Sequence, residues 1–141
     1  MTINNYTPGD GIPPHWDSHS PFEDVFCSLS LGSGVTMSFS HKDQQRHLYI
    51  KPRSLLIFSE EARYIWEHSI SLRKIDRVED NVYFRKRRVS LTFRKIRKGE
   101  CNCIYTNHCD SQIKKLGTTI PLSDFNLNCN LNSENKGKKT K

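Results

Sequence analysis

His15 and Asp17 are two potential metal ligands that stand two positions apart, with Trp16 between them. On an extended backbone, side chains at positions i and i+2 project to the same face, so this imidazole and this carboxylate can reach one metal ion. A second imidazole would complete a face of two histidines and one carboxylate, which suits Fe(II) and leaves coordination positions open. His68 lies in a predicted strand far downstream and fits that role. The pattern predicts an Fe(II) centre formed by His15, Asp17 and His68.

A second interpretation of the same residues stays open. His15 and Asp17 can form a hydrogen-bonded surface pair, and His68 can be a core histidine whose ring nitrogens are satisfied. Short motifs of this kind match by chance, so the metal interpretation depends on the rest of the chain.

Arg88 and Arg94 have the same parity in a predicted strand and therefore face the same side. Six residues of strand span roughly 20 Å. The dicarboxylate 2-oxoglutarate chelates iron through its 2-oxo acid end, and its far carboxylate needs a fixed cation. Arginine suits this role because its planar fork pairs bidentately with carboxylate and keeps its charge. The pattern predicts a 2-oxoglutarate site between Arg88 and Arg94; the alternative is an ordinary basic strand.

Cys101, Cys103 and Cys109 cluster near the carboxyl end, and His19 follows Asp17 by two positions. Three thiolates and one imidazole make a closed set for structural zinc. We predict that these four residues bind Zn(II) and fasten the C-terminal segment to the loop that carries the iron ligands. His108 is a rival for the fourth place.

Length and composition limit the function classes. The chain has 141 residues, enough for one compact domain, and its net charge of +7 is compatible with a polyanionic partner. No apolar run approaches the roughly 18 residues that a membrane helix needs, and residues 1–6 resemble no signal peptide. We therefore expect an intracellular protein of the cytoplasm or nucleus that does not associate with membranes and keeps its thiols reduced.

Short apolar runs between Gly and Pro turns, with no convincing helix, predict an all-β sandwich or barrel. Each predicted element has its own signal in the sequence. We expect a hairpin of segments 27–31 and 35–39 around residues 32–34, a strand at 48–50 and a buried strand at 54–58. A turn at 60–63, a strand at 64–70 and an irregular segment at 73–86 should follow. The last predicted strand is 88–94, and its Val89, Leu91 and Phe93 should pack into the core.

Three regions follow from these patterns. Residues 1–97 form the predicted oxygenase core, 98–112 the zinc-binding segment, and 113–141 a polar tail with few hydrophobic residues, which we expect to be disordered.

Four blocks, taken in order, resemble the AlkB family of Fe(II)/2-oxoglutarate dioxygenases. They are Asn4-Asn5-Tyr6 with Pro8-Gly9, His15-Trp16-Asp17, Arg63-Tyr64-Ile65-Trp66-Glu67-His68, and Arg88-Val89-Ser90-Leu91-Thr92-Phe93-Arg94. The resemblance covers residues 4 to about 112 and implies a double-stranded β-helix, or jelly roll. It assigns Fe(II) to the triad already named, and 2-oxoglutarate to Asn4, Tyr6, Arg88 and Arg94, with Arg88 at the far carboxylate. The implied reaction takes a hydrogen atom from a substrate C–H bond and leaves a hydroxyl group.

The zinc set, together with Phe93-Arg94-Lys95 and Cys101-Asn102-Cys103, is most similar to one branch of that family. That branch hydroxylates the 5-methoxycarbonylmethyl side chain of wobble uridine in tRNA, so the resemblance implies a tRNA anticodon loop as the RNA substrate. The branch also carries a nucleotide-recognition lid, an RNA-recognition domain and a methyltransferase domain. We find none of these in the sequence and expect a truncated chain, with the methyltransferase as a missing domain or a partner.

Two alternatives remain. One is oxidative demethylation of alkylated bases in DNA or RNA, which releases formaldehyde. The other is a catalytically inactive, zinc-stabilised RNA-binding fragment, which predicts zinc and RNA binding without 2-oxoglutarate turnover.

Overall fold

The computed structural model describes residues 1–115, which contain ten strands, two short α-helices and one 3-10 helix. The strands are β1 (Thr2–Tyr6), β2 (Ile12–His15), β3 (Phe22–Gly32), β4 (Val35–His41), β5 (Gln44–Ile50), β6 (Ser54–Phe58), β7 (Glu67–Ile70), β8 (Ile75–Val78), β9 (Asn81–Phe84) and β10 (Arg88–Ile96). The helices are α1 (Glu60–Tyr64), the 3-10 helix Thr106–His108, and α2 (Asp110–Lys115). None of these helices is long and apolar enough to cross a membrane.

Two antiparallel sheets of four strands face each other. Sheet I has the order β1-β10-β3-β6, and sheet II has the order β2-β7-β4-β5. The core lies between them, where Phe26 and Phe58 of sheet I stack with ring centroids 4.3 Å apart. They pack against Val35, Met37 and Ile50 of sheet II. The prediction of an all-β jelly roll is confirmed.

The two central strands of sheet I are inverted relative to an ordinary amphipathic strand. Ser28 and Ser30 of β3 and Ser90 and Thr92 of β10 are buried between the sheets. The outward positions of sheet I are apolar, and the exposed ones include Val25 of β3, Phe93 of β10, and Ile3, Leu55 and Ile57 of the edge strands β1 and β6. Our prediction for Val89, Leu91 and Phe93 is therefore wrong: they face away from the core, because the polar side of β10, with Arg88, faces inward. For the same reason the predicted buried strand at 54–58 is an edge strand with two exposed residues.

The predicted hairpin around residues 32–34 is also wrong. β3 pairs with β10 and β6, whereas β4 pairs with β5 and β7, so the glycine turn carries the chain from one sheet to the other. The observed hairpin joins β4 to β5, and Lys42 in its turn has φ of 52°. No glycine marks that turn in the sequence, which is why it escaped prediction.

Segment 73–86 is not irregular as predicted but forms the hairpin β8–β9. Buried Asp76 anchors this hairpin, since it accepts hydrogen bonds from Arg85 at 2.6 and 2.9 Å and from Arg73 at 3.0 Å. Stacking of Tyr83 on Tyr49, with centroids 4.5 Å apart, adds a second attachment.

Helix also occurs where we expected none. The predicted turn at 60–63 and the start of the predicted strand at 64–70 form α1, and the strand begins only at Glu67. Helix α2 crosses the boundary that we predicted between 112 and 113, and its Ile113 is buried. Most of the predicted disordered tail, residues 116–141, lies outside the described residues.

Candidate functional site

His15 and His68 are cross-strand partners on β2 and β7, and their ring centroids are 4.3 Å apart. A register shift between Ile12 and His15 places two residues of β2, Pro13 and Pro14, opposite one residue of β7, Ser69. This bulge gives His15 the inward position that Pro14 would otherwise take. β2 tolerates its two prolines because it is an edge strand. The Nδ1 atom of His15 donates to the carbonyl of Pro13 at 2.8 Å, which makes Nε2 the nitrogen available to a metal.

His68 is a buried imidazole with an unsatisfied nitrogen. Its ring packs against Phe58, with centroids 5.0 Å apart, and its Nδ1 has no hydrogen-bond partner among the described residues. Burial, followed by the nearby charge of His15, lowers the pKa of His68 to about 3, so the ring is neutral near pH 7. The alternative interpretation of a satisfied core histidine does not hold for this atom. A neutral, buried ring with an orphaned nitrogen fits a metal ligand.

Asp17 forms an ion pair with Arg94. Arg94 donates three hydrogen bonds to the two carboxylate oxygens, at 2.9, 3.0 and 3.1 Å. With the carboxylate turned toward Arg94, the three predicted iron ligands do not bring their ligand atoms within 4.8 Å of one another. Asp17 and Arg94 are nevertheless near enough to His68 for their charges to act on its pKa, in opposite directions.

Arg63 positions the backbone of the loop between β2 and β3, residues 16–21. We call this segment the iron loop, after the predicted ligand Asp17 that it carries. Its side chain is 1% exposed, and no described carboxylate forms an ion pair with it. Instead it donates to the carbonyls of Asp17 and Ser18, each at 2.8 Å, and to the carbonyl of Glu23 at 3.4 Å. Its guanidinium also lies 4.8 Å from the ring centroid of Tyr64. The sequence marks Arg63 only as part of the family block, with no signal for this role.

Arg88 is the first residue of β10 and lies on the inner face of sheet I. Its side chain is buried, with Nε donating to Ser30 at 2.9 Å and the guanidinium 5.3 Å from the ring centroid of Tyr6. Burial raises the pKa of Tyr6, which keeps its hydroxyl protonated beside this cation. Tyr6 and Asn4 share one face of β1, opposite Arg88 and Ser90 respectively.

Small polar side chains line the inner face between Arg88 and Arg94. Ser90 and Thr92 follow Arg88 along β10, and the hydroxyls of Ser28 and Ser90 are 2.7 Å apart. The four predicted 2-oxoglutarate residues therefore border one polar strip with a guanidinium at each end. We did not predict Ser28 or Ser30, although their alternation with leucine in the sequence was a readable signal.

Three of the four predicted zinc residues come together, and the fourth, Cys101, lies outside this group of ligand atoms. Ligand atoms of His19, Cys103 and Cys109 lie within 4.8 Å of one another. Cys101 is buried beside Cys103 and, after burial itself, helps to raise the pKa of that thiol to about 12. Burial also raises the pKa of Cys109, but hydrogen bonds from Ser111 and Gln112 outweigh it and bring the value to about 7.

Helix α2 and the iron loop are attached beside this cluster. Asp110 accepts hydrogen bonds from the backbone amides of His19 at 2.9 Å and Ser20 at 3.0 Å, and from the Ser20 hydroxyl. The Nε2 atom of His19 donates to the carbonyl of Tyr64 at 2.8 Å, which leaves Nδ1 directed at Cys103, 3.5 Å from its sulfur. Burial lowers the pKa of His19 to about 4, so this nitrogen carries no proton near pH 7.

His108, the rival fourth ligand, lies elsewhere. Its ring meets Trp16 edge to face, with centroids 5.7 Å apart, and lies 6.3 Å from the ring of His41. It does not belong to the group of metal-ligating atoms.

Comparisons with known proteins identify the family to which the chain belongs. The model of the 2OG-Fe(II) oxygenase superfamily matches residues 1–94. The chain is 45% identical to the tRNA (carboxymethyluridine(34)-5-O)-methyltransferase ALKBH8 of Macaca fascicularis, over 88% of this chain and 21% of that protein. It is 43% identical to the alkylated DNA repair protein ALKBH8 homolog of Arabidopsis thaliana, over 79% of this chain and 38% of that protein. The chain thus spans only about a fifth of the vertebrate relative.

Proposed function

Because the chain belongs to the 2OG-Fe(II) oxygenase superfamily, we propose that it hydroxylates the 5-methoxycarbonylmethyl group of the wobble uridine in tRNA. Membership implies Fe(II) and 2-oxoglutarate as cofactor and co-substrate, and the relatives identify the chain as AlkB-like. The substrate, the site residues and the place of action inside the cell, in cytoplasm or nucleus, are our proposals.

His15, Asp17 and His68 would hold the Fe(II). The donor set fits because His68 offers a neutral, buried imidazole with an unpartnered Nδ1, and His15 uses only Nδ1 in its hydrogen bond to Pro13. When bound, the iron supplies the oxidising chemistry that replaces a substrate C–H bond by C–OH.

One observation carries the co-substrate assignment: a polar strip inside sheet I joins Arg88 to Arg94. A buried arginine without a carboxylate partner is unfavourable unless a ligand or a hydrogen-bond network compensates it. Arg88 donates one hydrogen bond to the hydroxyl of Ser30 and lies over the ring of Tyr6. Its guanidinium has further N–H donors that can bind a carboxylate. Arg88 would bind the far carboxylate of 2-oxoglutarate, with Asn4, Tyr6 and Arg94 directing the other end toward the metal ligands.

The substrate class is supported by the chemistry in the relatives' name. Methyl transfer to the oxygen of a carboxymethyl group on uridine 34 produces a methyl ester, which is a 5-methoxycarbonylmethyl group. An oxygenase in the same protein would then act on that product. The net charge of +7 suits a polyanionic substrate such as tRNA.

We further propose that His19, Cys101, Cys103 and Cys109 bind structural Zn(II). A closed set of three sulfurs and one imidazole has no open position for substrate. Its role would be to fasten helix α2 and the 3-10 helix to the loop that holds Asp17, through His19 and Asp110.

The test is 2-oxoglutarate decarboxylation by purified protein with Fe(II), followed by nucleoside analysis of tRNA that carries the methyl ester. We expect succinate production that disappears in His68→Ala and Arg88→Ala, and a tRNA nucleoside that gains one oxygen. Absence of Fe(II)-dependent succinate from folded, zinc-loaded protein would contradict the proposal and favour the inactive RNA-binding alternative.

The Arabidopsis relative's name keeps oxidative demethylation as the second candidate. The two reactions differ in their products, since loss of an N-methyl group releases formaldehyde and hydroxylation of a stable carbon does not. Formaldehyde from methylated bases, with no hydroxylated wobble uridine, would decide for demethylation.

A further inference from the structure

Four aromatic side chains meet just beyond the predicted iron ligands. His41 at the end of β4 lies 5.9 Å from Trp66 and 6.3 Å from His108, and His108 lies 5.7 Å from Trp16, measured between ring centroids. All four side chains are half-buried. They come from four separate segments, so the fold and not local sequence brings these four rings together.

Strand register places this ring cluster at the mouth of the site. His68 pairs with Phe39 between β7 and β4. Trp66 lies two residues before His68, and His41 lies two residues after Phe39. Both side chains therefore have the same inward parity as the Phe39–His68 pair and lie roughly 7 Å beyond it along the strands. Trp16 stands between His15 and Asp17 on the third side.

No two rings of the ring cluster are stacked face to face. Some other aromatic pairs in residues 1–115 are, for example Phe26 on Phe58 at 15° and Tyr49 on Tyr83 at 29°. The pairs in the ring cluster meet at 40°, 54° and 78°, so no member lies flat on another. Aromatic rings in a core need only pack closely, whereas rings that bind a planar ligand must offer it a ring face.

Cations border the ring cluster. Lys42 follows His41 directly, is exposed, and is close enough to contribute, after burial and His41, to the lowered pKa of His108. Arg46 on β5 is the partner of Phe39, so it continues the row of His15 and His68 to the sheet edge. Its guanidinium is exposed and donates to the carbonyl of Gln45.

We propose that the ring cluster stacks the bases of a single-stranded RNA segment at the iron site, while Lys42 and Arg46 bind its phosphates. Exposed aromatic faces beside a cationic rim are the features with which proteins hold single-stranded nucleic acid, because every base has a π-face and every nucleotide a charge. The bases of an anticodon loop are unpaired and can reach such a surface. The proposal deepens the proposed function and rests on its RNA substrate.

Both tryptophans of the chain belong to the ring cluster, so their fluorescence reports on it directly. The experiment titrates the full chain, loaded with zinc, Mn(II) and 2-oxoglutarate, with a short oligouridylate. A backbone of the same length without bases serves as the control ligand. We expect the oligouridylate, but not the base-free backbone, to quench the tryptophan fluorescence. The same quenching should occur in both single-tryptophan variants, Trp16→Phe and Trp66→Phe.

Variants separate stacking from packing. Trp66→Phe keeps an aromatic face and should retain most of the affinity, whereas Trp66→Leu keeps apolar bulk and should weaken oligouridylate binding about tenfold. Arg46→Gln should weaken binding and reduce its salt dependence, while the matched change Arg77→Gln on the β8–β9 hairpin should not. Zinc content and Mn(II) affinity show whether each variant keeps the folded site.

Equal quenching by the base-free backbone would overturn stacking, and so would equal binding by the Phe and Leu variants. No quenching also overturns the proposal, even where succinate production shows that the oxygenase works. Quenching without 2-oxoglutarate turnover would instead support this surface and contradict the proposed function.

Discussion

Arg94 donates three hydrogen bonds to the carboxylate of Asp17, and so joins a predicted 2-oxoglutarate residue to a predicted iron ligand. Its guanidinium also lies 5.2 Å from the ring centroid of Phe26, which holds it at the core boundary. A carboxylate offers about four lone-pair sites. One oxygen of Asp17 can therefore turn to a metal while the other keeps Arg94.

Arg94→Gln should separate metal binding from co-substrate binding. Without the guanidinium, Asp17 is free for the metal, so Mn(II) affinity measured without 2-oxoglutarate should be unchanged or higher. Affinity for 2-oxoglutarate should fall at least tenfold, because a charge-assisted pair contributes about 1.5–3 kcal/mol. Calorimetric titration of each ligand checks both effects. Loss of Mn(II) binding with normal 2-oxoglutarate binding would show that Arg94 only positions Asp17.

Arg88 and Arg87 offer a matched pair of neighbours on opposite faces. Arg88 is buried inside the barrel, whereas Arg87 is exposed and donates to Asn5 at 3.0 Å. Arg88→Ala should raise the KM for 2-oxoglutarate about a hundredfold or more, since truncation leaves a buried carboxylate without its cation. Arg87→Ala should leave it nearly unchanged. Similar effects of the two substitutions on KM would contradict the assignment of Arg88.

The sequence predicts which side chains lie near one another better than it predicts the strand faces. His15 and Asp17 can be proposed as a pair because alternation on extended backbone is a local rule, although the bulge that sets the inward position of His15 is not visible in the sequence. Val89 and Leu91 were placed on the wrong face because hydrophobicity normally marks the interior, and here the interior of sheet I is the polar strip between Arg88 and Arg94. A buried ligand site reverses the usual pattern.

Long-range contacts were beyond the sequence altogether. Arg63 reaches the carbonyl of Asp17 across 46 positions, and Asp110 reaches His19 across 91. Nothing near either residue encodes those partners, because they are set by how α1 and α2 pack on the iron loop. The ring cluster was missed for the same reason.

Arg63→Met should destabilise the fold and loosen the iron loop. The substitution removes two part-buried hydrogen bonds from a charged donor to the carbonyls of Asp17 and Ser18, which costs about 3 kcal/mol in the free energy of unfolding. Arg63→Lys can donate to only some of these carbonyls, so its free energy of unfolding should lie between those of the wild type and Arg63→Met. Urea titration gives the stability, and the visible spectrum of bound Co(II) gives the ligand geometry. Arg77→Met, on the exposed β8 strand, is the control.

If Arg63→Met lowered stability while the Co(II) spectrum and affinity stayed as in the wild type, Arg63 would be a core residue with no influence on the metal ligands. Rescue of the spectrum by Arg63→Lys would instead support the positioning role.

Zinc binding should depend on the cysteines near α2 and not on Cys27. Cys103→Ser and Cys109→Ser remove thiolates from the cluster around His19, so bound zinc, measured by elemental analysis, should fall from about one per chain to a small fraction. Cys27→Ser, on the outer side of β3, should keep it. Unchanged zinc in Cys109→Ser would rule out the proposed ligand set.

The metal-free protein should lose stability in mild acid through His19 and His68. Folding lowers the pKa of His19 to about 4 and that of His68 to about 3, in both cases chiefly by burial. The unfolded chain binds these two protons near pH 6.5, so stability is complete above that value and falls as the pH drops toward 4. Each histidine contributes at most about 1.4 kcal/mol per pH unit.

Urea titrations of chelator-treated protein between pH 7 and pH 4.5 measure the slope of the free energy of unfolding against pH. His68→Asn should reduce this slope, and His47→Gln, at an exposed position on β5, should not. A slope that does not change in His68→Asn would mean that this ring does not remain neutral in the folded protein.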